Sequence, residues 1–297
     1  MSYKKESTDS TLLGFSLVFF GVLVLSPDAM LVSLIHLDLH SLLFWRGLFQ
    51  ALCTIIPWLI FVQFFSPSKS INIKKYFTRD IFIISILYLI TSSLFVSSAR
   101  NTNPANTIFL LSTTPVFSVI VGRIFLKDPV HKRTILVILI AMLALGIIVS
   151  GSIGGGGLLG DVMALGCAFF LSVQFIFMRK AKNLSMVPAV AMGSILTSMF
   201  NLPFAEEVFT FQGSDILLTL IMGCIIMPVA FTLISAAPKY IAAPQVSLVM
   251  QLESVFGSVW IWLFTTKVIT MSTLVGGALL VSVLSVYFIA EMRSEKN

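Results

Sequence analysis

Apolar runs follow one another along this chain with only short polar gaps between them. Ten windows are long enough to cross a bilayer as helices, at roughly 12–35, 41–65, 81–99, 104–125, 134–150, 158–178, 186–205, 216–237, 244–265 and 271–290; such a helix needs about 20 mostly apolar residues. Strands of a membrane barrel would be about 9–11 residues long and would alternate strictly, which these runs do not. Only 11% of the 297 residues are charged and 57% are hydrophobic, against about 25% charged in a soluble domain. The reading is an all-α integral membrane protein of ten transmembrane helices, set in the lipid bilayer, with no inserted soluble domain.

The net charge of +6 does not point to nucleic acid, because the basic residues gather in short loops. With the N-terminus inside, 16 of the 19 Lys and Arg fall on the inner side, Arg100 and Lys267 fall outside, and Arg46 lies within a span. That bias sets orientation and predicts two cytoplasmic tails, residues 1–11 and 292–297. The first apolar run exceeds the about 7–15 residues of a signal-peptide core, so it reads as a retained span.

The sequence also repeats itself. Leu12-Leu13-Gly14 returns as Leu158-Leu159-Gly160, and at the same offset of 146 Gly47 meets Gly193 and Pro57 meets Pro203. Farther on the offset becomes 139, where Val116-Phe117 meets Val255-Phe256 and Thr134 meets Thr273. This predicts two five-helix repeats, 12–150 and 158–291, joined by a Gly-rich linker at 151–157. Five is odd, so the second repeat enters the membrane upside down. Inverted-topology repeats are characteristic of secondary transporters, whose substrate site lies near the midplane between the halves. The Gly154–Gly157 run lacks the Lys and Ser/Thr of a phosphate loop. No nucleotide motif occurs elsewhere, so a gradient or exchange must drive any transport. Cys53, Cys167 and Cys224 have no metal or disulfide spacing, and His36, His40 and His131 form no ligand cluster. No cofactor, metal or catalytic group is expected.

Charge inside hydrocarbon is costly, about 2.5–3.5 kcal/mol at a span centre on insertion scales. Arg46, Asp28 and Glu253 are the charged residues that lie deep within the runs, and such residues line wet cavities or pair with one another. Arg46 is read as the group that binds an anionic part of the substrate, with Asp28 holding it or competing for it; a purely structural ion pair is the alternative. Glu253 is read as a proton or cation site, with a neutral, hydrogen-bonded carboxyl as the alternative. The repeat places Gln174 opposite Asp28 and Thr114 opposite Glu253, so both are expected at the same cavity. Gln251 adds polarity beside Glu253, and Trp45 and Phe49 flank Arg46 as candidate pocket aromatics. Pro27, Pro57, Pro115, Pro203 and Pro228 each free a backbone carbonyl within a span.

On these residues the chain resembles the drug/metabolite transporter (DMT) superfamily, in its ten-helix EamA-type family. The resemblance rests on the two repeats, Phe44-Trp45-Arg46 in span two, Thr114-Pro115-Val116-Phe117 in span four, and Leu126-Lys127-Asp128 after it. Glu253-Ser254-Val255-Phe256 is similar to the family's Glu-Pro motif, with Ser254 in place of proline, and Lys267 stands where a second acidic residue is usual. The resemblance implies a carrier of small organic metabolites in the plasma membrane (the inner membrane of a bacterium), often an exporter of amino acids, with a proton or counter-substrate as co-ligand. The competing class is a membrane-embedded enzyme acting on lipid or lipid-linked groups. That class calls for a nucleophile–base pair or a metal cluster, and the sequence offers neither.

Overall fold

The computed structural model describes residues 8–65, 78–102, 104–126, 132–150, 157–206, 208–211, 213–264 and 271–296. The expected N-terminal tail as far as residue 7, most of the Gly-rich linker (151–156), Lys127, Asp128 and Lys267 lie outside the described residues.

Among the described residues the fold is wholly helical. The first half comprises α1 (Thr8–Leu25), α2 (Asp28–Leu34), α3 (Leu39–Phe65), α4 (Arg79–Asn101), α5 (Pro104–Leu111), α6 (Thr114–Phe125) and α7 (Lys132–Val149). The second comprises α8 (Leu158–Lys180), α9 (Val187–Asn201), α10 (Asp215–Leu220), a π-helical turn (Ile221–Ile226), α11 (Met227–Ala236), α12 (Ala243–Met250), α13 (Leu252–Phe264) and α14 (Met271–Lys296). Nine stretches among the described residues are long and apolar enough to cross a membrane. In addition α7, 18 residues with Lys132 and Arg133 in its first turn, packs along α14. Apolar side chains face outward: Phe61, Leu143 and Val286 are 63%, 67% and 67% exposed, the arrangement lipid requires.

Three runs read as continuous spans are in fact broken: α1 gives way to α2, α5 to α6 and α12 to α13. Two breaks follow from proline chemistry. Pro27 brings no N–H to the Leu23 carbonyl, and the Ser26 hydroxyl donates to that oxygen instead, at 2.7 Å. Pro115 leaves the Leu111 carbonyl in the same position, and the Thr114 hydroxyl donates to it at 2.6 Å. In each case the residue before the proline satisfies the acceptor that the proline abandons. Pro57, by contrast, sits within the unbroken α3.

The packing treats the halves as equivalents. α4 lies against α8 and α11 against α1, a pair of contacts that exchange when the repeats are swapped; α3 with α9 and α7 with α14 pair each helix with its own equivalent. Glycines permit the close approaches, since apolar lipid offers no hydrophobic drive for helix association. A Cβ on Gly14 would meet Tyr240 and Ile241 at 2.8 Å, and one on Gly160 would meet Asn101 and Thr102 at 2.7 Å. Tyr240-Ile241 follow Asn101-Thr102 by the same offset of 139 found in the repeat. At one end of the bundle His36 bonds to Asp215 and His40 to Asn201, which ties the loop before α3 to α10 and the first turn of α3 to α9.

Candidate substrate cavity

The three breaks converge. A cavity of ≈ 180 Å³ is lined by Ser26 and Asp28 at the first break, Ser112 and Thr114 at the second, and Gln251 and Glu253 at the third. Broken helices inside a membrane are tolerated where they line a cavity, and breaks of this kind form the sites of many transporters. Two of the breaks touch: the Gln251 side chain donates from Nε2 to the Ser112 carbonyl at 3.1 Å. Ser112 and Gln251 are equivalents at the offset of 139. The first break is tied to α13 as well, by the Trp260 indole donating to Ser26 Oγ at 2.7 Å.

Arg46 reaches the cavity from α3. Asp38 fixes where that helix begins, its carboxylate Oδ2 accepting from the backbone N–H groups of His40 and Ser41, each at 3.0 Å, as a capping side chain does. Two turns farther on, Arg46 Nη2 donates to Asp28 Oδ2 at 2.9 Å, with Arg46 4% and Asp28 2% exposed. Nη2 also lies 3.3 Å from Met227 Sδ. The pairing rests on a single point: Arg46 Nε and Nη1 and Asp28 Oδ1 are buried with no hydrogen-bond partner among the described residues. Glu253 lines the same cavity, within Coulombic reach of both Asp28 and Arg46. Its carboxylate has no hydrogen-bond or ion-pair partner among the described residues.

Five of the eight sequence-predicted residues therefore meet at one cavity: Arg46, Asp28, Glu253, Thr114 and Gln251. The other three do not line it. Gln174 is buried behind it, its Oε1 accepting from the Thr91 hydroxyl at 3.3 Å. The repeat misled because Asp28 follows a proline break whereas Gln174 sits inside the unbroken α8, so equivalent positions point their side chains differently. Trp45 and Phe49 stack on each other with ring centroids 5.1 Å apart and face away from the cavity. Trp45 donates from its indole nitrogen to the Val208 carbonyl at 2.6 Å and packs on Phe209 and Phe211, while Phe49 covers Gly223 of the π-helical turn.

Sequence reasoning missed Tyr88, whose hydroxyl donates to Gln50 Oε1 at 2.9 Å at the cavity wall, and it missed Ser112. Neither is charged or next to a charge in sequence. The one available signal for Ser112 was its offset of 139 from Gln251.

A bundle of span-length apolar helices whose interior holds two acids and a guanidinium around a cavity has the make-up of an integral membrane protein. A sequence profile of the EamA-like transporter family matches residues 12–150 and again 158–290. The chain belongs to the EamA-like transporter family, within the drug/metabolite transporter superfamily, and is a multi-pass membrane transporter. The family's members are transporters, which favours the carrier over the lipid-acting enzyme. No curated protein is significantly similar to the chain. A solved crystal structure of another protein superposes with a TM-score of 0.76 at 16% sequence identity, over 94% of this chain and 96% of its own; that likeness is one of fold.

Proposed function

We propose that the protein is a secondary carrier exporting small organic metabolites, namely amino acids or related zwitterions and carboxylates, by alternating access. In this reading ten spans form two inverted five-helix halves, 12–150 and 158–291. Both termini are cytoplasmic, and the membrane is the plasma membrane (in a bacterium, the inner one). The exchange of helix contacts between the halves supports the inverted arrangement, as does the gathering of Lys and Arg on one side.

One observation carries the substrate class: Arg46 is buried at the cavity with Nε and Nη1 unbonded. A guanidinium kept only for structure would be expected to meet its carboxylate bidentately. Here Asp28 takes one N–H and leaves the others for an acceptor on the solute. A cavity of about 150 Å³ accepts benzene, so ≈ 180 Å³ suits a molecule of metabolite size.

The test is flux in liposomes containing the purified protein, over a panel of amino acids and carboxylates. Saturable, counterflow-stimulated flux is expected, lost in Arg46→Ala and largely lost in Arg46→Lys, because an ammonium does not reproduce the guanidinium's geometry. Undiminished flux in both variants would remove Arg46 from the substrate site.

A further inference from the structure

The hydroxyl hydrogens around Glu253 are committed to their own helices. Ser26 donates to Leu23 O at 2.7 Å, Thr114 to Leu111 O at 2.6 Å, Ser254 to Gln251 O at 2.8 Å and Ser258 to Ser254 O at 2.7 Å. What these side chains have left for the cavity is lone pairs. Gln251 gives one of its two Nε2 hydrogens to the Ser112 carbonyl, and its Oε1 is buried with no donor among the described residues, as is Asp28 Oδ1. Among the described lining residues, side-chain donors remain on Arg46, on Ser92 and as the second Nε2 hydrogen of Gln251. Among its side chains, acceptors thus outnumber donors in the Glu253 half of the cavity.

The charge count leans the same way. The charged side chains lining the cavity are Arg46, Asp28 and Glu253, one cation against two acids. Arg46 and Asp28 balance each other, which leaves the Glu253 carboxylate unpaired. Glu253 is partly buried, and a carboxylate set among acceptors is completed by a donor-rich or bare positive charge.

We propose that the Glu253 half of the cavity is a subsite for one monovalent cation, an ammonium group or an alkali-metal ion, beside the anion subsite at Arg46. The proposal rests on the carrier reading and deepens it. A zwitterion uses both subsites, its carboxylate at Arg46 and its ammonium among Glu253, Gln251 Oε1 and the serine and threonine oxygens. A carboxylate without an amine brings no positive charge and requires an alkali ion with it.

The experiment uses the full-length protein in detergent, with no carboxylate solute present. Its melting temperature is followed against methylammonium chloride and against sodium chloride, at constant ionic strength held with the bulkier N-methylglucammonium. Saturable stabilisation by at least one of the two small cations is expected. In Glu253→Gln its midpoint concentration should rise about tenfold or more, as when one charge-assisted contact is lost. Glu253→Asp keeps the charge, and should keep the effect with a smaller midpoint shift, should the Gln variant fail to fold. A response to methylammonium alone assigns the subsite to the solute's amine; a response to sodium alone assigns it to a co-transported ion; a response to both means that it admits either. Absence of any saturable response in the wild-type protein, or the same midpoint in Glu253→Gln, overturns the subsite. The Arg46-dependent flux described above would survive that result, so the two proposals fail separately.

Discussion

Asp28→Asn keeps the shape of the side chain and removes its charge. Arg46, 4% exposed, then loses the anion 2.9 Å from its Nη2. Removing one partner of a buried ion pair costs about 3–5 kcal/mol, because the other charge is left uncompensated. Two features of this site place the value at the low end. The amide oxygen of the introduced asparagine still accepts from Nη2, and Glu253 lies within Coulombic reach. The expected loss is therefore about 3 kcal/mol, and Arg46→Met should cost a similar amount by stranding Asp28. The double variant removes both charges and should recover much of the loss, with a coupling energy of about 2 kcal/mol. The assay is reversible unfolding of the four proteins in mild detergent. At about 2–4 °C per kcal/mol for chains of 150–250 residues, each single variant should melt roughly 6–12 °C below wild type. If the single variants stay within about 0.5 kcal/mol of wild type, the range of neutral surface changes, or the double equals the sum of the singles, then the pair is not the buried unit described here.

Two further outcomes check the packing. Gly276→Ala would put a Cβ 2.5 Å from the Ala144 carbonyl and 2.8 Å from the Ile148 nitrogen, so prising α14 from α7 should cost about 1–3 kcal/mol, whereas Gly122→Ala, with its nearest neighbour at 3.9 Å, should melt like wild type. Trp45→Phe keeps the stack on Phe49 but loses the bond to Val208; it should cost about 1 kcal/mol in unfolding assays and leave the half-saturation of transport unchanged, since Trp45 does not line the cavity.

Hydropathy made the helical class legible, because lipid leaves the backbone few ways to bond itself. The charges were legible for the same reason: Arg46, Asp28 and Glu253 stand out only against an apolar background. The breaks were partly legible. Pro27 and Pro115 announce two of them, and the preceding Ser26 and Thr114 supply the compensating hydroxyls. The third break, at Gln251, has no proline; there the Gln251 N–H bonds to Leu248 O at 3.2 Å, a tightening that no local residue type advertises. Gln174, Trp45 and Phe49 show the limit of reading neighbours from sequence. On a helix the next residue points elsewhere, so Trp45 leaves the cavity that Arg46 enters. An equivalent position in the other repeat keeps its direction only if the helix is broken there too.

The placement of Ser112 against Gln251 bears on how such a protein divides its labour. A residue that touches its own equivalent lies where the two halves are related to each other, so this bond marks the centre of the exchange between them. The backbone there is nearly symmetric, with α5 ending at Leu111 and α12 at Met250, each followed by a break. The side chains are not symmetric: Ser112 faces Gln251, and Thr114 is the counterpart of Glu253. In a carrier that works by exchanging the conformations of its halves, near-symmetric helices supply two states of comparable energy. Both subsites would lose selectivity if the chemistry were symmetric too. Here the guanidinium belongs to the first half and the carboxylate of Glu253 to the second, so whichever side the cavity opens toward, a solute bridging Arg46 and Glu253 holds the two halves to one another. On the proposed alternating-access reading, Arg46 and Glu253 would be the pair through which binding energy reaches the motion, and replacing either should uncouple solute binding from the change of state even where the fold survives.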